Sequence, residues 1–430
     1  MPPSESGAGA AMHSKDFKGA GDEGAWEDFM RHFLSDMANE VLFALLYVRN
    51  VVRKKEKGAK GILLVRFSHI GDFVIWLDAA KEYRNLYPGE TITLLCDKYK
   101  DIKMLAEKLG YFDEVIVLQT RGLYRLCSVW RMMKRKYGVV INADTSRTVL
   151  SDIFVLAASA VERIAAKTDF TRISRKKACR SDKIYDRVIP CGGIRTMELI
   201  RNAQFIRGLS KKCDFRACQP VIPKMPVNRT VRETHYFALC PGGETPLKYW
   251  NEEKYAQVLN YIFEKDKEIK CVAVGIGKEK EELRKILKHV VCKDRVISLI
   301  GRTTILEYIE VLRRARWLIT NDTGAAHIAG AVGTPSAVAA VSWDIGRFYP
   351  YRTERQAPGG VLPVGIHAEV ACAGCGTYGI DTVHPKCLEN HRMRCVNRIE
   401  AVQMIHVVTT FMEKVKNEQQ NNRQDEIYLP

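Results

Sequence analysis

Four short segments combine a strand end, a glycine turn and a side chain able to hold charge or move a proton. The first is Arg66-Phe-Ser-His-Ile-Gly-Asp72, at the end of an apolar run. Gly71 permits a sharp turn, and Asp72 then stands at the mouth of a sheet near a helix start. An Asp there is a candidate general base and equally a candidate N-cap. The second is Cys240-Pro-Gly-Gly-Glu-Thr-Pro-Leu-Lys-Tyr-Trp250. Amides of such a turn cradle phosphate, a helix start favours negative charge, and Lys248 adds a movable cation. The Walker pattern GxxxxGK[ST] is absent, and an ordinary turn with a solvated lysine is the plainer alternative.

The third segment, Val274-Gly-Ile-Gly-Lys-Glu279, lacks the third glycine of a dinucleotide fingerprint, which disfavours NAD and an oxidoreductase. Glu279 either accepts hydrogen bonds from a ribose diol or is one more surface acid between Lys278 and Lys280. The fourth, Ile319-Thr-Asn-Asp-Thr-Gly-Ala-Ala-His-Ile-Ala329, is the strongest. It turns at Asp322-Thr-Gly324 and opens a helix of small residues. Thr323 and Gly324 offer a hydroxyl and amides to a diphosphate, with His327 one turn along. A lone histidine is usually structural, but this one shares its helix start with a glycine turn.

The elements that hold these segments alternate. Apolar runs at 62–67, 91–96, 114–118 and 139–142 are separated by helical stretches. A Pro-spaced linker, Gln219 to Arg229, precedes a second series at 236–240, 271–275, 296–299, 317–320 and 336–340. Such alternation means parallel strands with helices on both faces. The expected class is α/β, two doubly wound Rossmann-like domains facing a cleft, with ligands outside the carboxyl ends of strands. The expected boundaries are 61–225 and 226–345, with an extension over 1–60 and a Cys-containing segment plus C-terminal helix over 346–430.

A length of 430 residues suits two domains, and 46% hydrophobic with 27% charged residues is the balance of a soluble globular protein. Lys and Arg number 67 against 50 acids, a net charge of +17 that favours phosphate-bearing partners. Residues 121–187 hold 16 basic and 6 acidic residues, net +10, whereas residues 1–60 carry 9 of each. RNP-like, KH-like and zinc-finger-like patterns are missing, which argues against nucleic acid. No apolar run reaches 18 residues, and the N-terminus does not read as a signal peptide.

Within the extension, Trp26, Phe29, Phe33, Met37, Val41, Leu45, Val48 and Val52 have helical spacing, and a basic run follows from Arg53. The stripe is expected to pack on the protein as a core face; lying on a membrane is the alternative, weakened by Asp36 and Glu40. Thirteen cysteines, many within strand-like runs (Cys96, Cys240, Cys271), read as free thiols in a reducing cytoplasm. Cys372-Ala-Gly-Cys375, Cys387 and Cys395, with His384 and His391 nearby, have spacing that would suit a structural zinc, but free or buried thiols are the preferred reading.

Taken in order, these segments resemble glycosyltransferase family 9, the ADP-heptose:lipopolysaccharide heptosyltransferases. The resemblance covers about residues 61 to 410. It rests on Ile62 to Asp72, Pro241-Gly-Gly243, Lys248-Tyr-Trp250, Gly301-Arg-Thr-Thr304, and Asn321-Asp-Thr-Gly324 with His327. It implies a GT-B fold with an N-terminal acceptor domain and a C-terminal nucleotide-sugar domain. By that resemblance Asp72 is the general base. Donor contacts fall on Gly242, Gly243, Glu244, Thr245, Lys248, Glu279, Asp322, Thr323, Gly324 and His327. Glu244-Thr-Pro246 departs from the Thr/Ser pairs common in that loop, and residues 1–60 have no counterpart.

The expected protein is therefore an inverting, metal-independent glycosyltransferase of lipopolysaccharide biosynthesis. It has no cofactor, takes a nucleotide-diphosphate sugar (ADP-heptose first) as co-substrate, and serves a lipid-linked or phosphate-bearing glycan acceptor. It is expected in the cytoplasm, peripherally on the inner face of the cytoplasmic membrane. The alternative is a non-catalytic nucleotide- or polyanion-binding module, which would not need Asp72.

Overall fold

Burial on both faces makes the strands of parallel sheets continuous apolar runs, and β1 (Ile62–Arg66) is buried at all five positions. The computed structural model describes residues 22–52, 58–97, 100–120, 122–355, 360–375, 387–389 and 392–427. Five strands join β1 in a first sheet: β2 (Ile92–Cys96), β3 (Glu114–Val117), β4 (Lys136–Asn142), β5 (Ser159–Ala166) and β6 (Arg187–Ile189). A second sheet holds β7 (Tyr236–Cys240), β8 (Lys270–Ala273), β9 (Val296–Ser298), β10 (Leu318–Asn321), β11 (Ser336–Ala339) and β12 (Val364–Ile366).

The orders are β3-β2-β1-β4-β5-β6 and β12-β11-β10-β7-β8-β9, so the two windings are the same. Every pairing within them is parallel. Strand order reverses between β1 and β4 in one sheet and between β7 and β10 in the other. Crevices open at such reversals. The expected α/β class with two doubly wound, Rossmann-like domains is the architecture found.

Helices Ile70–Ala80, after β1, and Gly324–Ala331, after β10, pack on each other across the domains. Phe73, Trp76 and Leu77 share one buried cluster with Ala325, Ile328 and Ala329. The polypeptide after residue 345 adds β12 to the second sheet. Its final helix, Ala401–Ile427, lays Met404, Val408 and Phe411 into that sheet's core, and Trp250 Nε1 donates to the Ile399 carbonyl at 2.9 Å. Cys96, Cys240 and Cys271 are buried in β2, β7 and β8.

The N-terminal helix, Asp22–Val52, reverses the expected orientation. It buries Phe43 and Leu46 (2% and 4% exposed) beside helix Val149–Ala157, while Leu45 and Val52 are 65% and 80% exposed. Phe33, Met37, Val41 and Val48, from the same expected core stripe, also lie outward. Polar residues set this rotation. Asn50 Nδ2 donates to the Leu156 carbonyl at 2.8 Å, and Glu40 pairs with Lys177 at 3.1 Å and Arg180 at 2.5 Å. Arg125 donates to the Ser35 carbonyl at 3.3 Å. The side chains of Trp26 and Phe29, and the basic run 53–57, lie outside the described residues. Among the described residues, no helix is long and apolar enough to cross a membrane.

Candidate active site

The strand-order reversals of the two sheets face one another across a cavity of about 610 Å³. On the first-domain side, β1 ends in Arg66, whose buried guanidinium donates to the Ala143 carbonyl at 2.7 Å and lies over the Trp76 ring. The same group reaches the Asp72 carbonyl at 3.4 Å. This anchors the turn that carries Asp72 into the cavity wall. Asp72 is not the N-cap: His69 holds that position, without a side-chain cap bond, and Asp72 sits in the first turn of helix Ile70–Ala80.

On the second-domain side Asn321, the last residue of β10, organises three segments. Its Nδ2 donates to the Pro241 and Gly242 carbonyls at 2.5 and 3.1 Å. Its Oδ1 accepts from the Trp250 amide and the Tyr255 hydroxyl, each at 2.9 Å. The glycine loop, the Lys248-Tyr-Trp250 segment and the Asp322-Thr-Gly324 turn are thereby held by one buried amide. Lys248 Nζ is 3.3 Å from Asp322 Oδ2 and 4.8 Å from the centre of the Trp343 ring. Thr323 caps helix Gly324–Ala331, its hydroxyl accepting from the Ala325 amide at 3.2 Å.

Glu279 is not a surface acid; it is 4% exposed and lines the cavity. Its Oε2 accepts from the Ile276 amide at 2.9 Å. Two glycines make room for it: a Cβ at Gly242 would lie 2.1 Å from its Cδ, and one at Gly275 1.8 Å from its Oε2. Gly275 also adopts φ +150, a conformation that favours glycine. Burial pushes the Glu279 carboxyl up to about 7, with the Ile276 amide and Lys278 opposing the shift. Burial likewise lowers the His327 pKa below its usual value, against the pull of Asp322 and Asp72. His327 Nδ1 shares a hydrogen bond with the Tyr351 hydroxyl, so this histidine is both structural and cavity-lining.

The cavity therefore gathers Asp72, Gly243, Glu244, Lys248, Glu279, Asp322, Thr323, Gly324 and His327. Two expected contacts are not among its lining. Gly242 underlies the wall, making space for Glu279. Thr245 is buried and caps the turn Pro246–Lys248, accepting from the Leu247 amide at 3.3 Å. Glu244 sits at the rim, 3.5 Å from His69 Nε2 of the opposite domain.

Sequence reasoning missed Arg172 and Asp101 on the first-domain wall, and Tyr308 and Trp343 on the second. Thr303 and Thr304, also in the wall, stood in the Gly301-Arg-Thr-Thr304 signal without an assigned role. It also missed Arg347, which ties the domains beside the cavity. Arg347 reaches Asp169 at 3.4 Å, Glu198 at 3.5 Å and the Ser146 hydroxyl at 2.8 Å. Arg201 backs the same carboxylates at 3.0 and 2.9 Å.

Among the described residues, no group of three or more His, Cys, Asp or Glu side chains is arranged to hold a metal ion. Cys372 and Cys375 are exposed, Cys387 is half-buried and Cys395 is buried. His384 and His391 lie outside the described residues.

Residues 127–339 match the family model described as Glycosyltransferase family 9 (heptosyltransferase). A stretch of 144 residues is 28% identical to Lipooligosaccharide heptosyltransferase 2 of Haemophilus influenzae, covering 33% of this chain and 36% of that relative. The match thus spans about a third of the relative's length. A family 9 glycosyl transferase from Veillonella parvula superposes with a TM-score of 0.63 at 14% identity, covering 84% of this chain and all of that one. The E. coli heptosyltransferase WaaC, solved with ADP, superposes with a TM-score of 0.53 at 15% identity, covering 82% and 99%. These two likenesses are of fold, and the fold is GT-B. Ordered motifs, the matched family model and the paired sheets agree: residues 127–339 carry a glycosyltransferase family 9 (heptosyltransferase) domain.

Proposed function

We propose that the chain is an inverting glycosyltransferase that moves a sugar, heptose or a relative, from a nucleoside-diphosphate donor to a cell-envelope glycan acceptor. The observation that carries this reading is the meeting, in one cavity, of Asp72 with Lys248, Glu279 and Asp322–Gly324 of the opposite domain. An adenosine diphosphate donor, ADP-heptose first, is the one to test, because a relative of this fold was solved with ADP.

In the proposed reaction an acceptor hydroxyl attacks the donor's anomeric carbon from the face opposite the diphosphate. Asp72 takes the hydroxyl proton as the new C–O bond forms. The bond between the anomeric carbon and the diphosphate oxygen breaks, and its electron pair leaves with the nucleoside diphosphate. Lys248, the amides around Gly242–Thr245 and the helix start at Thr323–Ala326 meet that growing negative charge. Asp322 fixes Lys248 where it serves, and Trp343 flanks its ammonium group. The mechanism is proposed as metal-independent, since the lysine and the amides supply the electrostatic stabilisation. Apposition of the domains keeps water from the donor. The basic first domain suits a phosphate-bearing or lipid-linked acceptor, with the enzyme cytoplasmic and peripheral on the inner membrane face.

Asp72→Asn tests the reading. It should leave ADP binding unchanged while sugar transfer falls roughly 100-fold or more, the scale of lost general base catalysis. Transfer at the wild-type rate would remove Asp72 from the chemistry. ADP binding without transfer from any nucleotide sugar, in wild type as in the variant, would favour a non-catalytic binding module.

A further inference from the structure

We propose that the outward face of helix Asp22–Val52 is a lipid-docking surface that seats the chain on an anionic bilayer. The inference rests on the membrane-attached acceptor of the proposed function and says which surface does the attaching. Leu34, Met37, Val41, Leu45, Val48 and Val52 follow one another at three- and four-residue steps, and every one is at least half exposed. They form a single stripe about 27 Å long, at 1.5 Å rise per residue. The opposite side of the helix is packed, through Phe43, Leu46 and Asn50. Scattered exposed apolar residues are ordinary on a protein surface; a continuous stripe of this length marks an interaction site.

The flanks identify the partner. On one side lies helix Tyr124–Met133, held by hydrogen bonds from Arg125 to Ser35 and Asn39. With Leu123 just before it, this helix exposes Tyr124, Leu126 and Trp130. Lys134 Nζ rests 3.3 Å from the centre of the Trp130 ring. On the other side helix Arg175–Asp182 is tied on by the Glu40 pairs with Lys177 and Arg180. Arg175, Lys176, Arg180 and Lys183 are exposed there. An apolar stripe bordered by amphipathic aromatic rings on one side and by cations on the other fits a bilayer interface: acyl chains meet the stripe, rings sit at headgroup level, and cations meet phosphates.

The other occupants fit less well. A second copy laid face to face would bring together two segments that each carry net +10 over residues 121–187. Residues 1–21 offer only Met1, Met12 and Phe17 as large apolar side chains, too few to cover six. The docked orientation also has a use. Arg172 lines the reaction cavity three residues before helix Arg175–Asp182, so the basic flank leads from the bilayer to the cleft mouth.

The full chain is tested by co-sedimentation with phosphatidylcholine vesicles, alone and mixed equally with phosphatidylglycerol. The wild type should bind the mixed vesicles, lose part of that binding in high salt, and shift its tryptophan emission to the blue. The triple variant Val41→Ser, Leu45→Ser, Val48→Ser, at exposed positions where folding is preserved, should bind about tenfold or more weakly at any salt. Arg175→Gln, Lys176→Gln, Arg180→Gln should lose binding at low salt only. Unchanged vesicle binding by the serine variant would overturn the proposal. So would a wild type that ignores vesicles but is dimeric in solution, with the serine variant monomeric. Transfer to a delipidated acceptor should be equal in wild type and serine variant; its absence in both would count against the transferase reading and leave the docking result standing.

Discussion

Gly71 and Gly324 meet backbone to backbone where the two domains touch. A Cβ on Gly71 would lie 3.1 Å from the Gly324 Cα and 2.9 Å from His327 Cδ2; one on Gly324 would lie 2.8 Å from Ile70 Cγ2 and 3.1 Å from the Gly71 amide nitrogen. Each glycine stands in the first turn of a helix that follows the central strand of its own sheet. The proposed base, Asp72, and the proposed diphosphate turn, Asp322–Gly324, are therefore held in register by contact between the segments that carry them. Adding a methyl group at either glycine should push the domains apart. Gly71→Ala is expected to cost about 1–3 kcal/mol in stability, the usual range for overpacking. Transfer should slow far more than ADP binding weakens, because the proposed donor site lies on one side of the contact only. Wild-type turnover in Gly71→Ala would show that this approach does not set the catalytic geometry.

Lys248→Ala separates binding from chemistry differently. In the proposed reaction Lys248 faces the diphosphate before and during its departure, so the variant should bind ADP more weakly and turn over roughly 100-fold more slowly. It also leaves Asp322, 6% exposed at its side chain, without the lysine 3.3 Å away. A drop in melting temperature is expected alongside. Equal ADP affinity in wild type and variant, by calorimetry, would take Lys248 out of the donor site.

Much of this arrangement is legible in the chain, and the exceptions share a cause. The runs at 62–67, 236–240 and 336–340 appear as strands within a residue or so of the expected ends, since burial on both faces leaves an unbroken apolar signal. β5 escapes notice because Glu162 and Arg163 interrupt it, and the carbonyls of Val155 and Ala158 and the Asn50 side chain accept from the buried Arg163. The N-terminal helix misleads because it is apolar on two opposite sides, and Asn50 and Glu40 choose which one packs. Lys248 and Asp322–Gly324 could be read from local pattern. The burial of Glu279 could not, for it depends on Gly242 and Gly275 in two other loops. The Arg347 cluster draws its members from both domains and leaves no local trace.

If Glu279 lines the donor site as proposed, donor binding should depend on pH. With its carboxyl at about 7, it is mostly neutral at pH 6 and mostly charged at pH 8. Cys240, Tyr249 and Tyr308 face it as neutral groups whose own pKa values are raised, and Lys278 is the cation nearby. A second negative charge beside a diphosphate should weaken ADP binding as pH rises through about 7, and Glu279→Gln should remove that dependence. The fold carries the same sign. A carboxyl raised from 4.5 in the unfolded chain costs stability progressively between 4.5 and 7, so Glu279→Gln should exceed wild type by about 3 kcal/mol at pH 8 and match it near pH 4. Parallel ADP titrations of the two proteins from pH 6 to 8.5 would show parallel curves if Glu279 does not titrate there.

Glu198 works in the opposite direction and guards the domain contact against acid. Burial alone would raise its carboxyl, but Arg201, Arg347 and Arg66 outweigh burial and hold it at about 2. A carboxyl lowered from 4.5 in the unfolded chain contributes stability that is complete above 4.5 and is lost as pH falls through about 2. The size is about 3 kcal/mol for a shift of this extent. Asp169, lowered as well despite burial, adds to the same acid limb through Arg201 and Arg347. Arg347 reaches both carboxylates from the second domain, at 3.4 and 3.5 Å, so the lost stability belongs to the joint between domains. Denaturant unfolding at steps from pH 5 to 2.5 should show the wild type weakening steadily. Glu198→Gln should start lower, because it leaves Arg201 and Arg347 short of a buried counter-charge, and should fall less steeply. Equal acid slopes for the two proteins would mean that Glu198 is not held ionised by this cluster.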